Sequence, residues 1–75
     1  MNKLNRFYTR LQEYQDNYPS WRQGQAAYNA LYAVAPEVCD EILGTELDPF
    51  YVDDDEPGRE RLHAFFEHAA KRLTA

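Results

Sequence analysis

The chain has 75 residues, a net charge of −5 and one cysteine. A chain of this length buries only about 60% of its unfolded surface, which predicts a single domain, residues 1–75, with a thin core and little volume for a pocket. One cysteine excludes an internal disulfide and indicates a reducing, cytoplasmic setting, and no stretch has the apolar length of a signal peptide or a membrane span.

The first predicted helix covers residues 3–17. Its apolar residues recur at helical spacing, and Asn2 stands where a capping side chain accepts from the first turn. Tyr18 precedes Pro19, and a residue before proline avoids the helical conformation. The helix is therefore expected to end there.

A second helix is predicted over residues 20–35, with the other helices packing on it. Ser20 and Gln23 have the spacing of a capping box. Gly24 lies inside this helix, where glycine costs about 1 kcal/mol relative to alanine. Its expected compensation is the close approach of another helix or an aromatic ring to the backbone.

Residues 18–52 resemble a group of small uncharacterised proteins from bacteria and their phages. The resemblance rests on Trp-Arg-x-Gly-Gln-Ala-x-aromatic-Asn-x-Leu from residue 21, Pro-Glu at 36–37, and Gly-Thr-x-x-Asp-Pro-Phe-Tyr from residue 44. It implies a bacterial or phage cytoplasmic protein. It implies no activity and transfers no functional residue.

A short third helix is predicted over residues 36–43, followed by a long connection. Pro36 suits the first helical position, and Gly44 suits the left-handed residue after the last turn. The connection runs from Gly44 to Gly58, an unusual length for so small a domain. We expect either Phe50 and Val52, or Tyr51, to anchor it on the core, although an exposed binding loop is an equal alternative.

The last predicted helix covers residues 56–73. Acidic residues precede it, Pro57 lies in its first turn, and Lys71 and Arg72 lie in its last turn, as the helix dipole favours. The chain thus predicts an all-α fold, a small bundle of three main helices plus one short helix. The expected core is Leu4, Phe7, Leu11, Tyr28, Leu31, Val38, Ile42, Leu62, Phe65, Phe66 and Leu73.

Three sequence patterns are compatible with a chemical site, but each is better explained by a structural role. A calcium loop starting at Asp53 would place Ala64 where a bidentate glutamate is needed. His63 and Glu67 share a helical face, but His68 points elsewhere and no further ligand is near in sequence. Cys39 lies on an apolar face, where cysteine is usually a small hydrophobe. We therefore predict no catalytic residue, metal site or cofactor, and no enzyme.

Charge is unevenly distributed along the chain. Residues 37–56 contain nine acidic and no basic residues, whereas residues 1–22 and 59–75 are each slightly basic. Neither end is basic enough for direct binding of nucleic acid. The acidic middle would instead attract a basic partner.

The leading functional hypothesis is a small acidic module that binds another protein, such as a phage or mobile-element modulator of a host protein. Its basis is an aromatic content of 15%, more than a thin core can absorb. The candidate partner-binding residues are Tyr14, Tyr18, Trp21, Arg22, Tyr51, Asp53, Asp54, Asp55 and Glu56.

Two alternatives stay open. A homodimer would bury the surplus aromatic residues through a two-fold interface. An acidic mimic of nucleic acid would occupy the basic groove of another protein, and it requires carboxylates spread along one face and not paired with the basic ends of the chain.

Overall fold

Four α-helices account for the fold of residues 2–74, the part of the chain that the computed structural model describes. They are α1 (Lys3–Asn17), α2 (Gln23–Val34), α3 (Pro36–Ile42) and α4 (Glu56–Thr74), and that range contains no strand. The prediction of an all-α bundle with three main helices and one short helix is confirmed.

Local capping signals set several of the helix ends as predicted. The Asn5 N–H donates to Asn2 Oδ1 at 2.8 Å, which satisfies one free donor at the start of α1. Pro36 occupies the first turn of α3. Gly44 has φ 76°, a left-handed conformation that favours glycine.

The predicted start of α2 is wrong, because the helix begins at Gln23 and Ser20 does not cap it. Residues 18–21 instead form a turn in which the Trp21 N–H donates to the Tyr18 carbonyl at 3.0 Å. The acceptor for the first turn of α2 comes from far along the chain, since the Gln23 N–H donates to Asp54 Oδ1 at 3.1 Å.

Helices α1 and α2 make most of the contacts between helices. The main helix contacts are α1 with α2, α2 with α3, and α1 with α4. The expectation that the other helices pack on α2 therefore needs correction for α4, whose principal helix neighbour is α1. Phe7 of α1 and Phe65 of α4 meet edge to face, with ring centroids 6.2 Å apart.

The core agrees with its prediction for the large side chains and adds small ones. Six predicted residues are buried, and the other five are partly buried and pack against them. The buried side chains that are absent from the predicted core are Ala26, Ala27, Ala30, Ala35, Cys39, Pro49 and Ala69. Since α2 presents mostly alanines to its neighbours, α1 and α3 can lie close to its backbone.

The connection between α3 and α4 is anchored by Pro49, not by Tyr51. Pro49 is fully buried, Phe50 and Val52 are partly buried, and Tyr51 is 83% exposed. A Cβ on Gly24 would lie 2.1 Å from the Pro49 carbonyl oxygen. The close approach expected at Gly24 therefore exists, but a loop backbone makes it.

An ion pair between Glu41 of α3 and Arg72 of α4 yields a prediction for acid stability. Arg72 Nε and Nη2 donate to the two carboxylate oxygens at 2.9 and 2.5 Å, and this hydrogen bonding holds the pKa of Glu41 below its usual 4.5. A depressed folded pKa contributes stability above the unfolded pKa, and the contribution disappears as pH falls through the folded value. We expect Glu41→Gln to lower the free energy of unfolding at neutral pH and to approach the wild type as the pH falls below 4.5, measured by urea denaturation from neutral to acid pH.

Glu37→Gln is the matched control for this pair. The Glu37 carboxylate lies 3.8 Å from Lys3 Nζ with both side chains more than half exposed, so its removal should matter less. A loss in Glu41→Gln that is equally large at neutral and acid pH would contradict the assignment.

Candidate functional site

Three aromatic side chains gather at the turn between α1 and α2. The Tyr18 and Trp21 rings are stacked, with centroids 4.3 Å apart and an interplanar angle of 8°. Tyr14 meets both edge to face, at 6.1 Å from Tyr18 and 5.6 Å from Trp21. Tyr18 is 46% exposed, whereas Tyr14 and Trp21 are partly buried. The turn thus brings three predicted site residues into one cluster, the turn cluster.

A shallow groove of about 270 Å³ opens beside the turn cluster, and we call it the turn groove. Its lining residues are Gln15, Tyr18, Pro19, Trp21, Gln23, Ala26 and Asp54. Asp54 is a predicted site residue, and it lies in the connection between α3 and α4. Sequence reasoning missed the other four lining residues, for which the available signal is their position in the turn or on the helices that flank it: Gln15, Pro19, Gln23 and Ala26.

Among the residues that line the turn groove, the one with a charge, Asp54, is acidic. Asp54 is exposed, and only one of its carboxylate oxygens accepts from the start of α2. The last turn of α1 contains no basic residue, so the negative end of its dipole is uncompensated. Arg10 already lies over the Tyr14 ring, with its guanidinium carbon 5.8 Å from the ring centroid.

Arg22 was also a predicted site residue, and here it contacts the loop. Its Nη2 donates to the Phe50 carbonyl at 2.9 Å, in a partly buried position. Its Nε is buried and has no hydrogen-bond partner within residues 2–74. Arg22 therefore joins the start of α2 to the loop that carries Asp54.

Two residues of the acidic run at 53–56 cap two different helices. Asp54 caps α2, and Asp55 Oδ1 accepts from the Gly58 N–H at 2.8 Å, which caps α4. A Cβ on Gly58 would lie 1.9 Å from the Asp53 carbonyl oxygen. All four acidic side chains are exposed, but only Asp54 lines the turn groove.

Tyr51 lies outside the turn groove, in a second aromatic row. Its ring centroid is 4.8 Å from that of Phe50, which in turn is 5.6 Å from that of Tyr28. Tyr32, one helical turn beyond Tyr28, is 55% exposed. The sequence grouped Tyr51 with Trp21, but the structure separates them.

The remaining chemical candidates lie apart from one another in the described part of the chain. Within residues 2–74, no group of three or more His, Cys, Asp or Glu side chains could hold a metal ion. His63 Nε2 lies 2.8 Å from Glu67 on the exposed face of α4, and His68 lies beside Glu41 instead. The Cys39 thiol is fully buried and donates to the Tyr28 carbonyl at 3.7 Å.

Burial of Cys39 predicts low reactivity and a loss of stability in alkali. Desolvation raises the pKa of the Cys39 thiol from 9.0 to about 12. Because the folded pKa is raised, the contribution of the neutral thiol is complete below the unfolded pKa and is lost as pH rises toward 12. We expect a disulfide-exchange reagent near pH 8 to label the native protein at least about 100-fold more slowly than the urea-unfolded protein.

The Cys39→Ala variant distinguishes the alkaline effect of this thiol from that of the neighbouring Tyr28. Burial also raises the pKa of Tyr28 to about 12, so the variant should keep part of the alkaline loss. Denaturation curves between about pH 8 and 11 should fall more steeply for the wild type than for Cys39→Ala. Equal labelling rates for native and unfolded protein would contradict the burial.

Comparisons with known proteins complete the description of the site. No described helix has both the length and the apolar character that a membrane crossing requires. Comparison with protein-family models, with curated proteins and with solved structures returns no match to this chain.

Proposed function

We propose that the protein is a small binding module that docks on another protein through the turn cluster and the turn groove. The main support is the stack of Tyr18 on Trp21, which is held by its neighbours yet remains half exposed at Tyr18. Rigid, partly exposed tyrosine and tryptophan side chains are the usual anchors of protein interfaces. A bacterial or phage modulator of a host protein is the setting that the sequence resemblance suggests.

The distribution of the aromatic residues supports this proposal. Of eleven aromatic side chains, Phe7 and Phe65 are fully buried, whereas four tyrosines are 46% exposed or more. The core of the isolated chain therefore does not absorb the aromatic surplus. Exposed rings of this kind gain most by packing against a partner.

The acidic residues give less support to mimicry of nucleic acid. Within the acidic stretch, Glu37 and Glu41 pair with Lys3 and Arg72 from the two ends of the chain. Three more acidic side chains, Asp48, Asp54 and Asp55, accept hydrogen bonds from backbone N–H groups. Five of the nine carboxylates are thus engaged within the chain, and the free row that mimicry needs is reduced.

Affinity capture with matched variants tests the proposal. Wild type, Tyr18→Ala and Tyr8→Ala would be immobilised and exposed to bacterial lysate, and retained proteins would be quantified by mass spectrometry. Tyr8 is the control because it is also 46% exposed but contacts Phe7 and Phe66 on the α1–α4 side. We expect at least one protein that Tyr8→Ala retains as well as the wild type does, and whose captured amount falls about tenfold or more with Tyr18→Ala.

Two results would overturn the proposal. One is that every retained protein binds both variants equally well. The other is that nothing is retained and sedimentation shows a dimer that persists in Tyr18→Ala, because self-association elsewhere would then account for the exposed aromatic residues.

A further inference from the structure

We propose that the turn groove receives an arginine side chain of the partner protein, an inference that rests on the proposed function. The guanidinium would lie on the outer face of the stacked rings of Tyr18 and Trp21 and pair with the carboxylate of Asp54. This assignment follows from the size of the groove, the shape of its aromatic wall and its charge.

Size and shape favour one flat side chain. At about 270 Å³, the groove is smaller than the roughly 300–1,000 Å³ typical of sites for small-molecule ligands. Tyr18 and Trp21 are stacked at 4.3 Å, so nothing fits between them and an occupant must lie against an outer ring face. A planar guanidinium stacks on such a face and makes hydrogen bonds in the same plane, which an ammonium does not.

Charge complementarity favours a cation. Asp54 uses Oδ1 to cap α2, and within residues 2–74 no basic side chain pairs with its carboxylate. The nearest basic residue in sequence to the cluster, Arg22, is directed to the Phe50 carbonyl. The end of α1 adds the negative pole of a helix that has no basic residue in its last turn.

The turn cluster already attracts a guanidinium from its own chain. Arg10 lies 5.8 Å from the centroid of Tyr14, within the range of a cation–π contact. Tyr14 in turn packs edge to face on Trp21. The partner's arginine would make the equivalent contact on the side of the cluster that faces Asp54.

Peptide titration with a single reporter tests the inference. Trp21 is the only tryptophan, so its fluorescence reports on the groove. A blocked glycine-rich peptide with one arginine would be compared with the same peptide carrying citrulline, which has nearly the same shape and no charge. We expect a saturable change with the arginine peptide by about 10 mM and binding at least about threefold tighter than with citrulline.

Two variants isolate the role of Asp54. Asp54→Asn keeps a good capping side chain and removes the charge. It should lower the affinity for the arginine peptide about threefold. Asp53→Asn removes a neighbouring charge that does not line the groove, and it should leave binding unchanged. Circular dichroism would verify that both variants fold as the wild type does.

The outcomes separate this inference from the proposed function. No saturable change, equal affinity for arginine and citrulline, or no effect of Asp54→Asn would overturn the arginine site. If a captured protein depends on Tyr18 but binds Asp54→Asn fully, the module stands and the arginine assignment fails. If capture depends on neither residue, both fail.

Discussion

Replacing Phe65 with alanine is expected to remove a large share of the free energy of unfolding. Phe65 is fully buried, and its ring meets Phe7 and Phe66 at centroid distances of 6.2 and 5.5 Å. Removing a buried phenylalanine side chain costs about 3–5 kcal/mol, whereas a domain of this length has roughly 4–11 kcal/mol in total. Urea denaturation followed by circular dichroism would measure the loss.

Tyr8→Ala is the control for this prediction. Tyr8 belongs to the same aromatic cluster, at 5.2 Å from Phe7, but it is 46% exposed. Since its ring already contacts water, its removal should cost about 1 kcal/mol or less. A Phe65→Ala protein as stable as Tyr8→Ala would mean that α4 does not pack on α1 as described.

Gly24→Ala is expected to destabilise the protein, although helix propensity alone predicts the opposite. Alanine is favoured over glycine inside a helix by about 1 kcal/mol. The new Cβ, however, would lie 2.1 Å from the carbonyl oxygen of Pro49, a fully buried residue whose ring restricts the backbone. Overpacking of this kind costs about 1–3 kcal/mol or more, so we expect a net decrease in the free energy of unfolding.

The reverse change at an exposed position of the same helix gives the control. Ala33 of α2 faces solvent, and Ala33→Gly should cost about 1 kcal/mol through propensity alone. Thermal denaturation of both variants would show whether contact or propensity decides at Gly24. A higher melting temperature for Gly24→Ala than for the wild type would exclude the close approach of the loop.

The sequence predicts helix ends well where the cap lies beside the helix, and poorly where it does not. Asn2, Pro36 and Gly44 act on neighbouring backbone, and the structure has each of them in its expected role. The start of α2 is different, because its acceptor, Asp54, is 31 residues away from Gln23. A pattern read over a few residues cannot include such a contact.

The same limit applies to the candidate site. Residue type alone predicts Tyr14, Tyr18 and Trp21 as site residues, and the short turn between α1 and α2 brings them together. Residue type also predicts Tyr51, but the backbone of an irregular loop decides where each side chain points, and the Tyr51 ring lies against Phe50 instead. Residue type predicts which side chains suit an interface, and only the tertiary fold decides which ones share it.

The length of the connection between α3 and α4 should be fixed, unlike that of most surface loops. Surface loops usually tolerate insertions, because few backbone contacts determine their path. This one has its backbone against Gly24, and at its far end the adjacent Asp54 and Asp55 cap two different helices. One residue inserted between these aspartates would move one carboxylate about 3.5 Å along the chain and break at least one cap. In this domain, therefore, the segment that has no regular secondary structure has as little freedom to change length as a helix does.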